Sequence, residues 1–341
     1  MFASKRFLIP FLLMLILSIL ACQAFRPAAD TPVPPTAAQV QAQASATLPP
    51  PPTATAGPPR PVLLFNTHSR EGSVEIYGMQ ADGSGTIRLT TTDYTYNWHP
   101  VWSPDCTRIA FESDRLNDNL FLIYVMSYGD DQPAQLLLDA DKFLTAQTAT
   151  WSPDGSRIAF SGRRHDELGD SIFVMNADGM QLERLTNAGS ALDTCPAWSP
   201  DGKYIAFRRT PNGRTDHLIV MDAGGGNERI LYTSSNLSYG CPSWSPDSQR
   251  IVFLFKLEKP GELEDLAIFN LDGSGFVNIT NTPSHEEWGP DWSPDGKRIA
   301  YMRRSGGSGL QIRSMNIDGT DDIALTDDEM NYHYPDWCPL P

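Results

Sequence analysis

One phrase, used over and over, constrains this chain more than anything else in it. "HPVWSPDCTRIAF" begins at His99, "TATWSPDGSRIAF" at Thr148, "CPAWSPDGKYIAF" at Cys195, "CPSWSPDSQRIVF" at Cys241 and "GPDWSPDGKRIAY" at Gly289. The last residues, from Tyr334, give only the first half of the phrase. The tryptophans are Trp102, Trp151, Trp198, Trp244, Trp292 and Trp337, separated by steps of 49, 47, 46, 48 and 45 residues. Self-similarity at such a period signals a repeat architecture whose units bury their faces against one another.

Each unit reads as four short strands. In residues 195–233, "PAWS", "YIAFRR", "HLIVMDA" and "ERILYT" carry the β-branched and aromatic residues, and "PDGK", "TPNGRTD" and "GGGN" separate them. Ser-Pro-Asp-Gly suits a tight turn: Pro fixes φ, Asp caps, and Gly takes positive φ. Residues 62–90 match strands two to four of a unit and lack the first strand with its Trp. The segment around Trp337 is that missing strand. The expectation is an all-β, six-bladed β-propeller, closed when the C-terminal strand joins the first blade and removes a raw sheet edge. The motif tryptophans are expected between blades, and the Ile-Ala-Phe stretches in the blade cores.

The unit "W-S-P-D-G-K-R-I-A-F … V-M-N-A-D-G … R-L-T" resembles the repeat of the TolB-like six-bladed propellers, over residues 62–338. In TolB itself an α/β domain precedes the propeller, where this chain has a linker. The resemblance specifies fold far more than function.

Ahead of the repeats, Lys5 and Arg6 precede an apolar stretch from Phe7 to Ala21, and Cys22 follows. This pattern resembles the bacterial lipobox and implies a signal peptide over residues 1–21 with Cys22 as the lipidated residue. An uncleaved anchor helix is the other reading. Residues 22–61, rich in Pro, Ala and Thr, read as the lipidated cysteine and an extended linker, leaving 62–341 as the propeller. At about 3.1 Å per residue the linker reaches roughly 120 Å. The formal charge is −15, and loss of Lys5 and Arg6 with the signal deepens it to −17. That balance argues against nucleic-acid binding.

Residues repeated in every unit most often serve the unit, so function is sought where units differ. Just before each tryptophan the blades read Asn97-Trp98-His99, Ala146-Gln147-Thr148, Asp193-Thr194-Cys195, Tyr239-Gly240-Cys241, Glu287-Trp288-Gly289 and Tyr332-His333-Tyr334. These residues are expected at one mouth of the central channel, as a binding surface or as a plug. The candidate ligand-binding residues there are Trp98, His99, Asp193, Tyr239, Glu287, Trp288, Tyr332 and His333. The loops between strands two and three open on the same face and carry cations, among them Arg163, Arg208 and Arg303. They could form a rim that favours an anionic ligand, or pair with carboxylates in the same loops. The Asp-rich turns fall on the opposite face.

Beyond Cys22 there are four cysteines, which allow three pairings. Cys195 and Cys241 share a register in neighbouring blades, and Cys106 lies one blade from Cys338. The favoured pairs are 195–241 and 106–338. No Gly-x-Ser-x-Gly elbow appears, and a metal or acid–base site from His99, His285 and His333 is the weaker reading. The sequence therefore predicts a non-catalytic, lipid-anchored, monomeric propeller on the outer side of the cytoplasmic membrane or in the periplasm. It is expected to need no cofactor, and to bind an envelope protein, a peptide or an anionic wall polymer at one mouth. A propeller hydrolase, lyase or glycan-binding module using that mouth is the alternative.

Overall fold

The computed structural model describes residues 60–339, except 70, 71, 93, 94, 117–119, 131, 212, 214, 236–239, 257–262, 283, 306–308 and 328. The lipobox with Cys22, most of the linker and Tyr239 therefore lie outside the described residues. The described chain is almost entirely β, arranged as six four-stranded antiparallel sheets. In the first blade, β1 (Leu63–His68), β2 (Val74–Met79) and β3 (Ile87–Arg88) follow in order. The second has β4 (Asn97–Trp102), β5 (Arg108–Ser113), β6 (Leu122–Ser127) and β7 (Gln135–Leu136). The third has β8 (Phe143–Trp151), β9 (Arg157–Arg164), β10 (Ser171–Asn176) and β11 (Glu183–Arg184). The fourth has β12 (Leu192–Trp198), β13 (Tyr204–Thr210), β14 (Thr215–Asp222) and β15 (Arg229–Ser235). The fifth has β16 (Ser243–Trp244), β17 (Arg250–Phe255), β18 (Asp265–Asn270) and β19 (Val277–Asn278). The sixth has β20 (His285–Trp292), β21 (Arg298–Ser305), β22 (Leu310–Asn316) and β23 (Ile323–Ala324).

The final strand, β24 (Tyr332–Trp337), completes the first sheet in the order β24-β1-β2-β3. Leu63 faces Trp337 and Thr67 faces Tyr332 in an antiparallel register. Backbone and side chain add to the closure: the Cys338 amide donates to Val62 O at 2.7 Å, and the Thr67 hydroxyl to Asn331 O at 2.8 Å. A disulfide joins Cys106 of the second blade to Cys338, just past β24, with 5.6 Å between α-carbons. A second joins Cys195 to Cys241, across the fourth and fifth blades, at 5.0 Å.

The second strand of each blade is buried along its Ile-Ala-Phe core. Ile109, Phe111, Ile158, Phe160, Ile205, Phe207, Ile251 and Phe253 are all fully enclosed. The motif tryptophans pack between blades. Arg108 lies over the Trp151 ring at 4.5 Å, Arg157 over Trp198 at 4.8 Å and Arg250 over Trp292 at 5.0 Å. The arginine that opens strand two in one blade thus covers the tryptophan of the next, through cation–π attraction.

The turn aspartates serve their own turns. Asp105 accepts from the Ser103 hydroxyl at 2.6 Å and from the Thr107 amide at 3.1 Å, and Asp154 repeats the pattern with Ser152 and Ser156. Those hydroxyl bonds hold both carboxyls low, at about 2. The Asp-Gly turns between strands three and four need glycine for a further reason. Gly179 has φ of 84°, and a Cβ there would sit 2.4 Å from Leu137 O in the neighbouring blade.

Candidate functional site

The six inner strands surround a central channel of about 510 Å³, lined from three residues before each tryptophan to two after it. Proline forms most of two rings: Pro100, Pro196, Pro242, Pro290 and Pro335 above the tryptophans, and Pro104, Pro153, Pro200, Pro246, Pro294 and Pro339 below. The wall is mainly apolar and rigid. Its volume lies in the range typical of ligand pockets.

One backbone device shapes the mouth. In β4, β8, β12 and β20 the pairing slips, so that two residues oppose one on the next strand, and β24 slips against β1 in the same way. At each slip the residue three before the tryptophan takes positive φ: His99 46°, Thr148 51°, Cys195 56°, Gly289 53° and Tyr334 52°. Only one of the five is glycine, so the left-handed conformation is imposed on side chains that ordinarily avoid it. The bulge bends the strand and turns the side chain towards the channel entrance. Such strain tends to gather at functional positions.

The bulge also separates the residues expected together at the mouth. Side chains five before the tryptophan face into the blades. Asn97, Asp193 and Glu287 are each fully buried. Each meets an arginine of its own blade: Arg115 reaches Asn97 Oδ1 at 3.0 Å, Arg209 binds Asp193 through two bonds of 2.6 and 2.7 Å, and Arg303 binds Glu287 at 2.9 Å. Burial pushes the Glu287 carboxyl up to about 7, against the pull of Thr282 and Arg303. Period-two alternation along a strand predicts this inward direction. Asp193 and Glu287 therefore lie beneath the mouth and do not line it.

The rim cations are also engaged. Arg163 pairs with Asp170 at 2.9 Å, Arg208 with Asp216 at 2.7 Å, and Arg303 with Asp322 as well as Glu287. Arg303 is 8% exposed. Of the two sequence readings, local pairing is the one these three arginines show.

What remains open is an aromatic crescent. Trp98 contacts His333 at 5.1 Å between ring centroids, Tyr334 at 6.2 Å and His68 at 6.3 Å, all edge to face. His99 packs on Tyr334, and its Nδ1 lies 2.6 Å from Glu112 Oε1. Burial, then the charges of His68, His99 and Arg304, lower His333 to about 4, so its ring is neutral at physiological pH. Trp288 is held by its Nε1 donating to Glu264 at 2.7 Å, with Arg304 over its ring at 5.1 Å. Tyr332 turns to Phe65 and donates to Asp327 at 2.8 Å. His285 lies beside Ser284, apart from the ring contacts that join His68, His99 and His333 to this cluster. Opposite the crescent, blades three to five present Gln147, Thr148, Thr194, Cys195, Gly240 and Cys241.

Sequence reasoning passed over a second feature. Just before the tryptophan, the blades carry Val101, Thr150, Ala197, Ser243, Asp291 and Asp336. Several of these side chains accept from the tryptophan amide of the following blade. Asp336 Oδ2 takes the Trp102 amide at 2.7 Å, and Asp291 Oδ2 takes that of Trp337 at 2.7 Å. The signal was present: two carboxylates stand where other units place neutral residues.

The family model described as the TolB beta propeller domain, PD40, matches residues 140–341. This chain belongs to that family. Among solved structures it is similar to TolB from Acinetobacter baumannii, with a TM-score of 0.65 and 20% identity, covering 83% of this chain and 68% of that one. A structure from Agrobacterium tumefaciens described as TolB gives 0.61 and 19%, covering 82% and 98%. A chain of the nidogen/laminin complex gives 0.62 and 10%, covering 81% and 98%. At these identities the likeness concerns the fold. No curated protein matches the chain. Among the described residues no helix is long and apolar enough to cross a membrane, and no group of three or more His, Cys, Asp or Glu is placed to hold a metal ion.

Proposed function

We propose that this protein is a non-catalytic binding propeller of the cell envelope, tethered through Cys22, that receives a protein or peptide at the channel mouth. The observation that carries the reading is the uneven mouth. Trp98, His99, His333 and Tyr334 gather on one side, partly exposed and held by ring contacts, while the described residues of the opposite side, Thr148, Thr194, Cys195 and Gly240 among them, are smaller. Rigid aromatics with polar edges make effective anchors because little side-chain entropy is lost on binding. The paired state of Arg163, Arg208 and Arg303 favours such an anchor over recognition of an anionic wall polymer. Family membership supports a protein partner, and the lipobox resemblance supports the tether.

The test is capture from envelope extracts by the full chain, identification of the captured protein, and measurement of its affinity for variants. W98A should weaken binding by at least tenfold, as expected for a hot-spot aromatic. The double variant R163E/R208E should bind as the parent does. Loss with the arginine variant and none with W98A would move the site to the rim. C22S should abolish incorporation of labelled fatty acid.

A further inference from the structure

Asp291 and Asp336 sit at equivalent positions on neighbouring strands, β20 and β24, and both line the channel. Both residues are half-buried and line the lumen. Each spends one oxygen on a backbone amide of the next blade. Asp291 Oδ1 also accepts from the Ser243 hydroxyl at 2.8 Å. Asp336 Oδ1 has no hydrogen-bond donor from the protein among the described residues. Among the described residues no lysine or arginine lines the channel, and no cation bears on either group. Buried carboxylates are ordinarily paired with a cation or fully hydrogen-bonded. This pair is neither, and it faces an open cavity.

We infer that the channel is a subsite for an organic cation: the ammonium or guanidinium of a lysine, an arginine or a free amino terminus on the ligand that enters at the mouth. The inference rests on the mouth reading above and adds the chemistry that the channel selects. The rest of the wall decides the class of cation. Calcium requires six to eight oxygen ligands. Besides the two carboxylates only the Ser243 hydroxyl is bonded there. The other hydroxyls lining the channel are Thr148, Thr150 and Ser199, on the third and fourth blades across the ring, and Tyr334 at the mouth, and the rest of the wall is mainly proline, valine, alanine and tryptophan. An ammonium or guanidinium is satisfied by fewer acceptors, and aromatic and apolar walls suit its alkyl stem. The low-dielectric surroundings make the charge–charge attraction far stronger than it would be at the surface.

Protonation supplies a signature. Burial raises Asp291 to about 6, and burial together with the Asp291 charge raises Asp336 well above the ordinary carboxylate range. A bound cation favours the ionised pair, so binding must release protons and weaken as pH falls through 6. Among the described residues the other titratable groups lining the channel are His99 and Tyr334, both at the mouth, with His99 against Glu112.

The probe is cadaverine, which reproduces a lysine side chain, titrated calorimetrically into the purified full chain in detergent, with glutarate as the anionic counterpart. The expected result is saturable binding of cadaverine, none of glutarate, and an affinity about tenfold weaker at pH 5 than at pH 7.5. D336N should weaken cadaverine binding at least tenfold. If D336N does not fold, D291N and the pH dependence of the parent carry the test. Absent cadaverine binding, equal binding of glutarate, indifference to pH, or calcium occupying the carboxylates in cadaverine's place would each overturn the inference. Such a failure would leave partner capture by the parent, and its loss in W98A, untouched, so the two readings fail separately.

Discussion

At the joint between the first and second blades, Asp336 accepts the Trp102 amide at 2.7 Å. At the next joint the equivalent place belongs to Val101, which has no acceptor to offer. The joint at Ala197 likewise has none, and the other three are bonded. Thr150 takes the Trp198 amide at 3.4 Å, Ser243 that of Trp292 at 3.2 Å, and Asp291 that of Trp337 at 2.7 Å. The two short bonds, both to carboxyl acceptors, therefore flank the first blade, whose sheet is assembled from the two ends of the described chain. The disulfide to Cys338 lies there too. The comparison teaches that a repeat protein need not distribute its fastening evenly. It is concentrated where closure depends on non-covalent pairing.

The largest expected effect separates the two disulfides. Cys106–Cys338 spans 232 residues and Cys195–Cys241 spans 46. Loop entropy then favours the longer bridge, with an upper bound of about 5 kcal/mol against about 4 kcal/mol. C106S/C338S should lower the urea midpoint more than C195S/C241S, and equal losses would remove the special status of the seam. Next, D336A should cost about 1–3 kcal/mol by stranding a buried amide, while T150A, whose bond is longer, should cost under about 1 kcal/mol. Chemical denaturation of the pair decides it; a T150A loss as large as that of D336A would mean that all joints are equivalent.

A smaller effect contrasts the seam with the mouth through pH. Asp291 is held at about 6, above its unfolded value, so between pH 4 and 6 the folded state carries more protons and stability falls as pH rises. His333 is held at about 4, below its unfolded value, so between pH 4 and 6.5 the unfolded state carries more protons and stability rises with pH. Each contributes a slope of up to about 1.4 kcal/mol per pH unit, of opposite sign. H333Q should tilt the stability profile towards acid, and D291N towards neutral pH. Parallel profiles for the two variants would show that neither shift operates.

The Trp spacing and the strand-turn alternation carried the fold, down to Trp337 lying against Leu63, because each repeat had to find the same neighbours. The mouth was legible in place and blurred in detail. Left-handed backbone is usually announced by glycine, yet here Gly289 is one of five residues that adopt it, so His99, Thr148, Cys195 and Tyr334 gave no warning. Without the bulge, three successive residues looked equivalent; with it, Asp193 and Glu287 turn inward while the residues after them reach the entrance. The arginines were ambiguous for another reason. Sequence shows the cations and the nearby acids, and only tertiary contact settles which of them neutralise one another. The channel carboxylates were overlooked because a single acidic residue beside an aromatic reads as ordinary strand polarity until the ring brings two of them round to the same lumen.

The last strand does two jobs with opposite faces. On the proposed reading His333 and Tyr334 meet the guest at the entrance, and the strand that carries them locks the circle by lying beside β1. A guest gripping those rings therefore also holds the latch shut. Occupancy should slow the opening of the whole circle, so that residence of the guest is felt as resistance to force and to proteases far from where it sits.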